Sequence, residues 1–157
     1  MNDSLRMNSL GDGYRALVIG ASGALGSAFC ELLNEDPRCV GVRELGRHGF
    51  PRLDLEEPES IAKAAAELAE EAPYQLILHA AGLLHRGEIK PEKSYSAIED
   101  DAFRAVFQVN TLGPALVLRH FLPLLDSRGA MAVLSAKVGS IGDNRLGGWY
   151  ADRKSVV

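Results

Sequence analysis

Ala16-Leu-Val-Ile-Gly20-Ala-Ser-Gly23-Ala-Leu-Gly26 is the stretch on which the reading of this chain turns. Four apolar residues stopped by a glycine are what a strand buried on both faces requires. From Ala24 to Asn34, Leu25, Ala28, Phe29, Leu32 and Leu33 recur at helical spacing, so an amphipathic helix follows directly. A strand, a glycine-rich turn and a helix together bring backbone amides and a helix N-terminus to one place, where a pyrophosphate can be held. Gly20 permits the tight turn, Gly23 lets a ligand approach the backbone, and Gly26 allows the helix to sit against the sheet; Ser22 and Leu25 belong to the same candidate loop. Glycine-rich turns also serve as plain punctuation between strand and helix. The position of this one, near the start of the periodic chain, favours the ligand.

Outward from that loop, further strands are expected at Cys39–Val42, Arg52–Leu55, Leu76–Leu78 and Ala130–Leu134. Between them, Pro58 to Glu71 reads as a helix with Ile61, Ala65 and Leu68 on one face. A long helix is expected over 101–125, capped by Asp100 or Asp101, with Phe103, Val106, Phe107, Leu112, Leu116 and Phe121 as its buried side. Pro114 and Pro123 lie inside that span, and a proline removes a helix hydrogen bond and can kink the element. Strands alternating with helices imply βαβ units and right-handed crossovers. The fold class is α/β, a doubly wound parallel sheet in three αβα layers, with expected strand order 3-2-1-4-5. Residues 1–13 read as a loose lead-in and 14–157 as one domain.

Composition narrows the function. The 157 residues are 46% hydrophobic and 24% charged, which is ordinary for a soluble globular domain. A formal net charge of −4 and the lack of a Lys/Arg stripe argue against nucleic acid as a partner. The longest uncharged stretch, Ala16 to Cys30, is broken by glycines and is shorter than the roughly 20 apolar residues a membrane span needs. No secretory signal is read at the N-terminus, and Cys30 and Cys39 do not form a disulfide framework, so a cytoplasmic location is expected. His48, His79, His85 and His120 fall on different elements without ligand spacing, and no metal site is expected.

Taken in order, five motifs resemble those of the short-chain dehydrogenase/reductase family. The glycine loop is the first. Asp54-Leu55 resembles the family's acidic adenine-contacting pair, and His79-Ala80-Ala81-Gly82 resembles its Asn-Asn-Ala-Gly motif, with histidine and alanine in place of the asparagines. Val109-Asn110-Thr-Leu-Gly-Pro114 resembles the helix segment carrying its catalytic asparagine. Ser135-Ala-Lys-Val-Gly-Ser-Ile141 followed by Gly147-Gly-Trp-Tyr150 resembles the active-site run of a CsgA-like, carbonyl-reductase-like bacterial subgroup. The resemblance runs from Tyr14 almost to the last residue.

That resemblance implies a Rossmann-like domain binding NADP or NAD, a small carbonyl or alcohol substrate, and a homodimer packed through the 101–125 helix. The adenosine ribose would sit near the end of the second strand. There Glu44 could accept from a free 2′-hydroxyl, whereas Arg43 or Arg47 could pair with a 2′-phosphate. Arg43, immediately after the strand, tilts the expectation to NADP. In the family a tyrosine acts as general acid or base, a lysine four residues later holds the ribose and lowers the tyrosine pKa, and a serine hydrogen-bonds the reacting oxygen.

Two registers compete for those roles. The literal Tyr-x-x-x-Lys is Tyr150 with Lys154, alongside Asn110 and Ser135. The subgroup pattern Trp-Tyr-x-Tyr-Arg-x-Ser-Lys instead matches Trp149, Tyr150, Arg153 and Ser155, and it puts Asp152 and Val156 in the tyrosine and lysine places and Ala136 in that of the serine. An aspartate with a reference pKa of about 3.9 has no proton to offer at neutral pH. Family members continue past the position of Val157 here, so the chain reads as C-terminally shortened. Alternatives to an active oxidoreductase are therefore a catalytically silent nucleotide-binding or regulatory module and a non-functional remnant.

Overall fold

Tyr-Arg-Ala-Leu-Val-Ile forms β1 (Tyr14–Ile19), which begins two residues before the apolar run. The computed structural model describes residues 9–90 and 95–136. After β1 come α1 (Ala24–Glu35), β2 (Cys39–Leu45), α2 (Pro58–Leu68), β3 (Tyr74–His79), α3 (Asp100–Phe107), α4 (Gly113–Phe121) and β4 (Leu125–Val133). The four strands are parallel, in the order β2-β1-β3-β4. Alternate side chains of a strand point to opposite faces. Leu17 and Ile19 accordingly join Ile61, Ala65 and Leu68 of α2 and Val117 and Phe121 of α4 in one core. Ala16 and Val18 join Cys30 and Leu33 of α1 in the other. The result is the expected doubly wound αβα layering.

The strand expected at Arg52–Leu55 does not form; Gly46 and Arg52 share only an isolated bridge. Only six residues separate Leu45 from Arg52, whereas a crossover between parallel neighbours takes about a dozen or more. The segment turns into α2 instead. The Glu56 amide donates to Asp54 Oδ1 at 3.1 Å, the Asp54 amide donates to Ser60 Oγ at 2.9 Å, and Arg52 pairs with both Asp54 and Glu57. With that strand missing among the described residues, the order of the others is the expected one.

Two helix faces also differ from expectation. On α1 the buried residues are Gly26, Cys30 and Leu33, while Leu25 and Leu32 are 61% and 53% exposed. Gly26 fixes this rotation: a Cβ there would lie 2.1 Å from the Gly20 carbonyl oxygen. The glycine face must therefore lie against the sheet, and the leucine stripe turns outward. The expected 101–125 helix is interrupted by a π-helical turn, Gln108–Leu112, in which the Gly113 amide donates to the Gln108 carbonyl. The widened turn rotates the face that follows it: Phe121 is buried beyond the turn and Leu112 is exposed within it, while ahead of the turn Val106 is buried and Phe107 exposed. Pro114 falls in the first turn of α4 and Pro123 in a closing 3₁₀ turn, so neither breaks an α-helical interior.

Gly26→Ala forces a backbone shift and is expected to destabilise the chain by about 2 kcal/mol or more. Leu32→Gln, on the exposed face of the same helix, should stay within about 0.5 kcal/mol. Urea denaturation of both variants tests the assigned rotation of α1, and equal losses would contradict it.

Candidate functional site

Leu45, Ile19, His79 and Val133 stand side by side across the sheet as the last residues of their strands. The pairing continues one step beyond. Gly20 donates to the Leu45 carbonyl at 2.8 Å, Ala80 to Ile19 at 2.8 Å and Leu134 to His79 at 2.9 Å. The loops therefore leave the sheet together, and they enclose a cleft of ≈ 290 Å³ at the carboxyl ends of the strands, the ligand-binding position of open α/β sheets.

The glycine loop occupies the middle of this edge, and its three glycines have different physical reasons. Gly20 has φ +87°, and a Cβ would lie 2.6 Å from the Ala81 backbone nitrogen. Gly26 is compelled by the Gly20 carbonyl. Gly23 has an ordinary φ of −81°, and among the described residues the only neighbour of a Cβ there is the Gly20 oxygen at 3.4 Å. Neither strain nor crowding by the described residues requires glycine at 23, yet it lines the cleft. Gly23 is also the N-cap of α1 and offers no side-chain acceptor. The first amides of α1 have no intrahelical partner, and the helix dipole adds positive potential where they point. This cradle suits a pyrophosphate.

Two walls flank the loop, and both are held from beneath by the π turn. On one side Gln108 Nε2 donates to the Leu55 carbonyl at 2.8 Å. On the other, fully buried Asn110 accepts from the Leu83 amide at 2.8 Å and donates to the Leu83 carbonyl at 2.7 Å. Gly113 completes the seat, since a Cβ there would come within 2.9 Å of Leu55 Cβ. Asn110 thus fixes the segment that follows Gly82, with both ends of its amide in use.

Of the expected cofactor-binding residues, Gly20, Ser22, Gly23, Asp54, Leu55, Ala80, Ala81 and Gly82 line the cleft. Leu25 is exposed on α1, and Gly26 is spent on packing. Arg43 is not in the lining. Its guanidinium pairs with Glu71, which is held below the usual carboxylate range by that contact. Glu44 lies beside Cys30, whose thiol is pushed up to about 11, first by burial and then by this carboxylate. The arginines that do line the cleft are Arg47 and Arg86, together with Glu56 and His85. Arg86 holds Glu56 below its ordinary pKa by a direct hydrogen bond, and Arg47 adds to that effect by its charge. Parity gives the signal for Arg43: it lies two residues before buried Leu45 and so shares its face of β2, the face covered by α2 and α4. Arg86 and Glu56 carried no motif.

Ser135 is exposed two residues beyond β4, and Ala136 is half-buried next to it. Tyr150, Lys154, Asp152 and Val156 lie outside the described residues. Among the described residues no group of three or more His, Cys, Asp or Glu is placed to hold a metal, and no helix is long and apolar enough to cross a membrane.

Comparison with known proteins agrees with this geometry. A family model described as enoyl-(acyl carrier protein) reductase matches residues 34–157. The 1-hydroxy-2-glutathionyl-2-methyl-3-butene dehydrogenase of Rhodococcus sp. (strain AD45) is 31% identical over 106 residues, which are 67% of this chain and 44% of that protein. An NADP-bound Burkholderia multivorans protein assigned to the short-chain dehydrogenases/reductases superposes with TM-score 0.79 at 24% identity, covering 92% of this chain and 68% of the other. NADPH-bound carbonyl reductase from chicken fatty liver superposes with TM-score 0.75 at 22% identity, covering 94% and 68%. The chain spans about half the length of the two curated relatives it matches.

Asn110→Leu keeps the volume but leaves the Leu83 amide and carbonyl without their buried partner. A loss of about 2–3 kcal/mol in urea denaturation is expected. A loss below about 0.5 kcal/mol would show that the amide does not hold this wall.

Proposed function

Since the chain belongs to the short-chain dehydrogenase/reductase family, we propose that its cleft holds NADP(H) and serves oxidoreduction between a small carbonyl compound and the corresponding alcohol. The observation that carries this reading is Gly23, a glycine demanded neither by its backbone angles nor by its neighbours, at the uncapped start of α1 beside an open cleft. A diphosphate lying against that backbone supplies the missing reason. The adenine end would then rest between Asp54-Leu55 and Ala80–Gly82.

NADP is favoured over NAD by the distribution of charge. Arg47 faces the cleft where the adenosine ribose would lie, while Glu44, the acid suited to a free 2′-hydroxyl, lies beside Cys30. Arg43, the arginine that first suggests NADP, is engaged by Glu71, so the 2′-phosphate role passes to Arg47.

A bound nicotinamide ring supplies or accepts the hydride. In the proposed assignment Ser135 hydrogen-bonds the reacting oxygen, Tyr150 moves the proton, and Lys154 holds the ribose and lowers the Tyr150 pKa. Asn110 positions the wall through Leu83. A second reading, a catalytically silent nucleotide-binding module, is favoured by Asp152 and Val156 at the subgroup's tyrosine and lysine places. The proposed partner is a second copy of the chain, packed through 101–125, where Phe107, Leu112 and Leu122 are exposed.

Calorimetric titration with NADP and NAD, paired with NADPH-linked turnover of a panel of ketones and aldehydes, separates the readings. Binding with turnover that Tyr150→Phe abolishes supports the enzyme, and binding without turnover supports the silent module. Arg47→Ala is expected to weaken NADP about tenfold or more while changing NAD little. Equal effects on both dinucleotides would remove Arg47 from the 2′-phosphate role.

A further inference from the structure

The two walls of the cleft are tied to the body separately. The Leu55 side hangs on Gln108 and the Leu83 side on Asn110, both reaching up from the π turn beneath. A different, partly exposed contact links the walls to each other. Arg86 meets Glu56 with both terminal nitrogens, one on Oε2 and the other on Oε1 at 2.8 Å, across 30 residues of sequence. Each partner stands on a short turn that is fixed by its own hydrogen bonds. The Arg86 and Ile89 backbones bond each other reciprocally at 2.9 and 3.0 Å, around Gly87 at φ +57°. Glu56 follows the Asp54 turn, with its amide on Asp54 Oδ1. Two stiff turns, each anchored to its own side of the cleft, leave the distance between the walls to the side chains that span it.

We infer that the Glu56–Arg86 pair is a clasp that fastens the two walls across the mouth of the cleft and sets the rate at which a dinucleotide leaves it. The part concerning the dinucleotide rests on the function proposed above, whereas the fastening of the walls does not. A planar guanidinium facing a carboxylate through two bonds fixes direction as well as distance. The pair is partly exposed, 40% at Arg86 and 31% at Glu56, so it is weak enough to open and is screened by salt. Both residues line the cleft and both are partly open to solvent, so a ligand seated between the walls lies beside a contact that solvent can reach. Arg86 is a positioning residue in this scheme and takes no part in chemistry.

The test uses the whole chain as Glu56→Gln, as Arg86→Met, and as the exchanged double variant Glu56→Arg with Arg86→Glu. Amide hydrogen exchange without ligand is expected to speed up about 2–5-fold in both 53–57 and 82–90 in each single variant, the range a partly exposed ion pair supports. The exchanged pair should restore it. Stopped-flow displacement of NADPH should show a matching 2–5-fold faster release in the single variants, recovered in the double. Exchange that is unchanged, or that rises only in the segment carrying the substitution, overturns the clasp. Faster exchange with unchanged NADPH release overturns its role as a gate. If the chain binds no NADPH, the function proposed above fails and the exchange measurement alone decides the clasp.

Discussion

The contact on which the rest depends is between backbones. The Gly26 Cα rests against the Gly20 carbonyl so closely that a methyl group would stand 2.1 Å from its oxygen, and Gly20 in turn lies against Ala81, where a Cβ would approach to 2.6 Å. Side chains cannot intervene at either place. Three consequences follow. The face of α1 that meets the sheet is fixed at Gly26, Cys30 and Leu33. The first turn of α1 is directed at the strand ends, a position suited to an anion. The segment after β3 is drawn in beside the loop, so that Ala80 and Ala81 become part of the cleft.

The second constraint is the π turn. An α-helix through 101–125 would present one face throughout; widening one turn lets Gln108 and Asn110 reach opposite walls while Val106 and Phe121 stay in the core. Burying the Asn110 amide is costly unless all its polar groups are satisfied, and the Leu83 backbone satisfies it from both ends. The same residue therefore stabilises the fold and shapes the site. Gly113, packed against Leu55, shows how closely the turn approaches the wall it supports.

Much of this was legible in the sequence, and the remainder escaped for physical reasons. The Ala16–Ile19 run and the glycine spacing mark the central strand, the loop and the start of α1 because burial and backbone freedom are local demands. Ile61, Ala65 and Leu68 reveal the inner face of α2 for the same reason. The missing strand at Arg52–Leu55 could have been found by counting the six residues before it, since a crossover does not fit. Leu25 and Leu32 mislead because hydrophobic spacing competes on α1 with a backbone contact that no hydropathy pattern registers. The π turn leaves no mark in composition. Arg43 reads along the sequence as a phosphate ligand, whereas in the fold Glu71, 28 residues away, pairs with it, and a long-range ion pair of that kind is invisible along a single chain.

In the function proposed above, the loop from Gly20 to Gly26 and the first turn of α1 receive a dinucleotide diphosphate. Titration of the ¹⁵N-labelled chain with NADP, followed through backbone amide resonances, tests it most directly. Saturable shifts concentrated at Ser22, Gly23, Ala24 and Leu25, with smaller ones at Ala81 and Gly82, are expected. Shifts that leave those amides unmoved while appearing elsewhere, or no saturable shift at millimolar NADP, would contradict it.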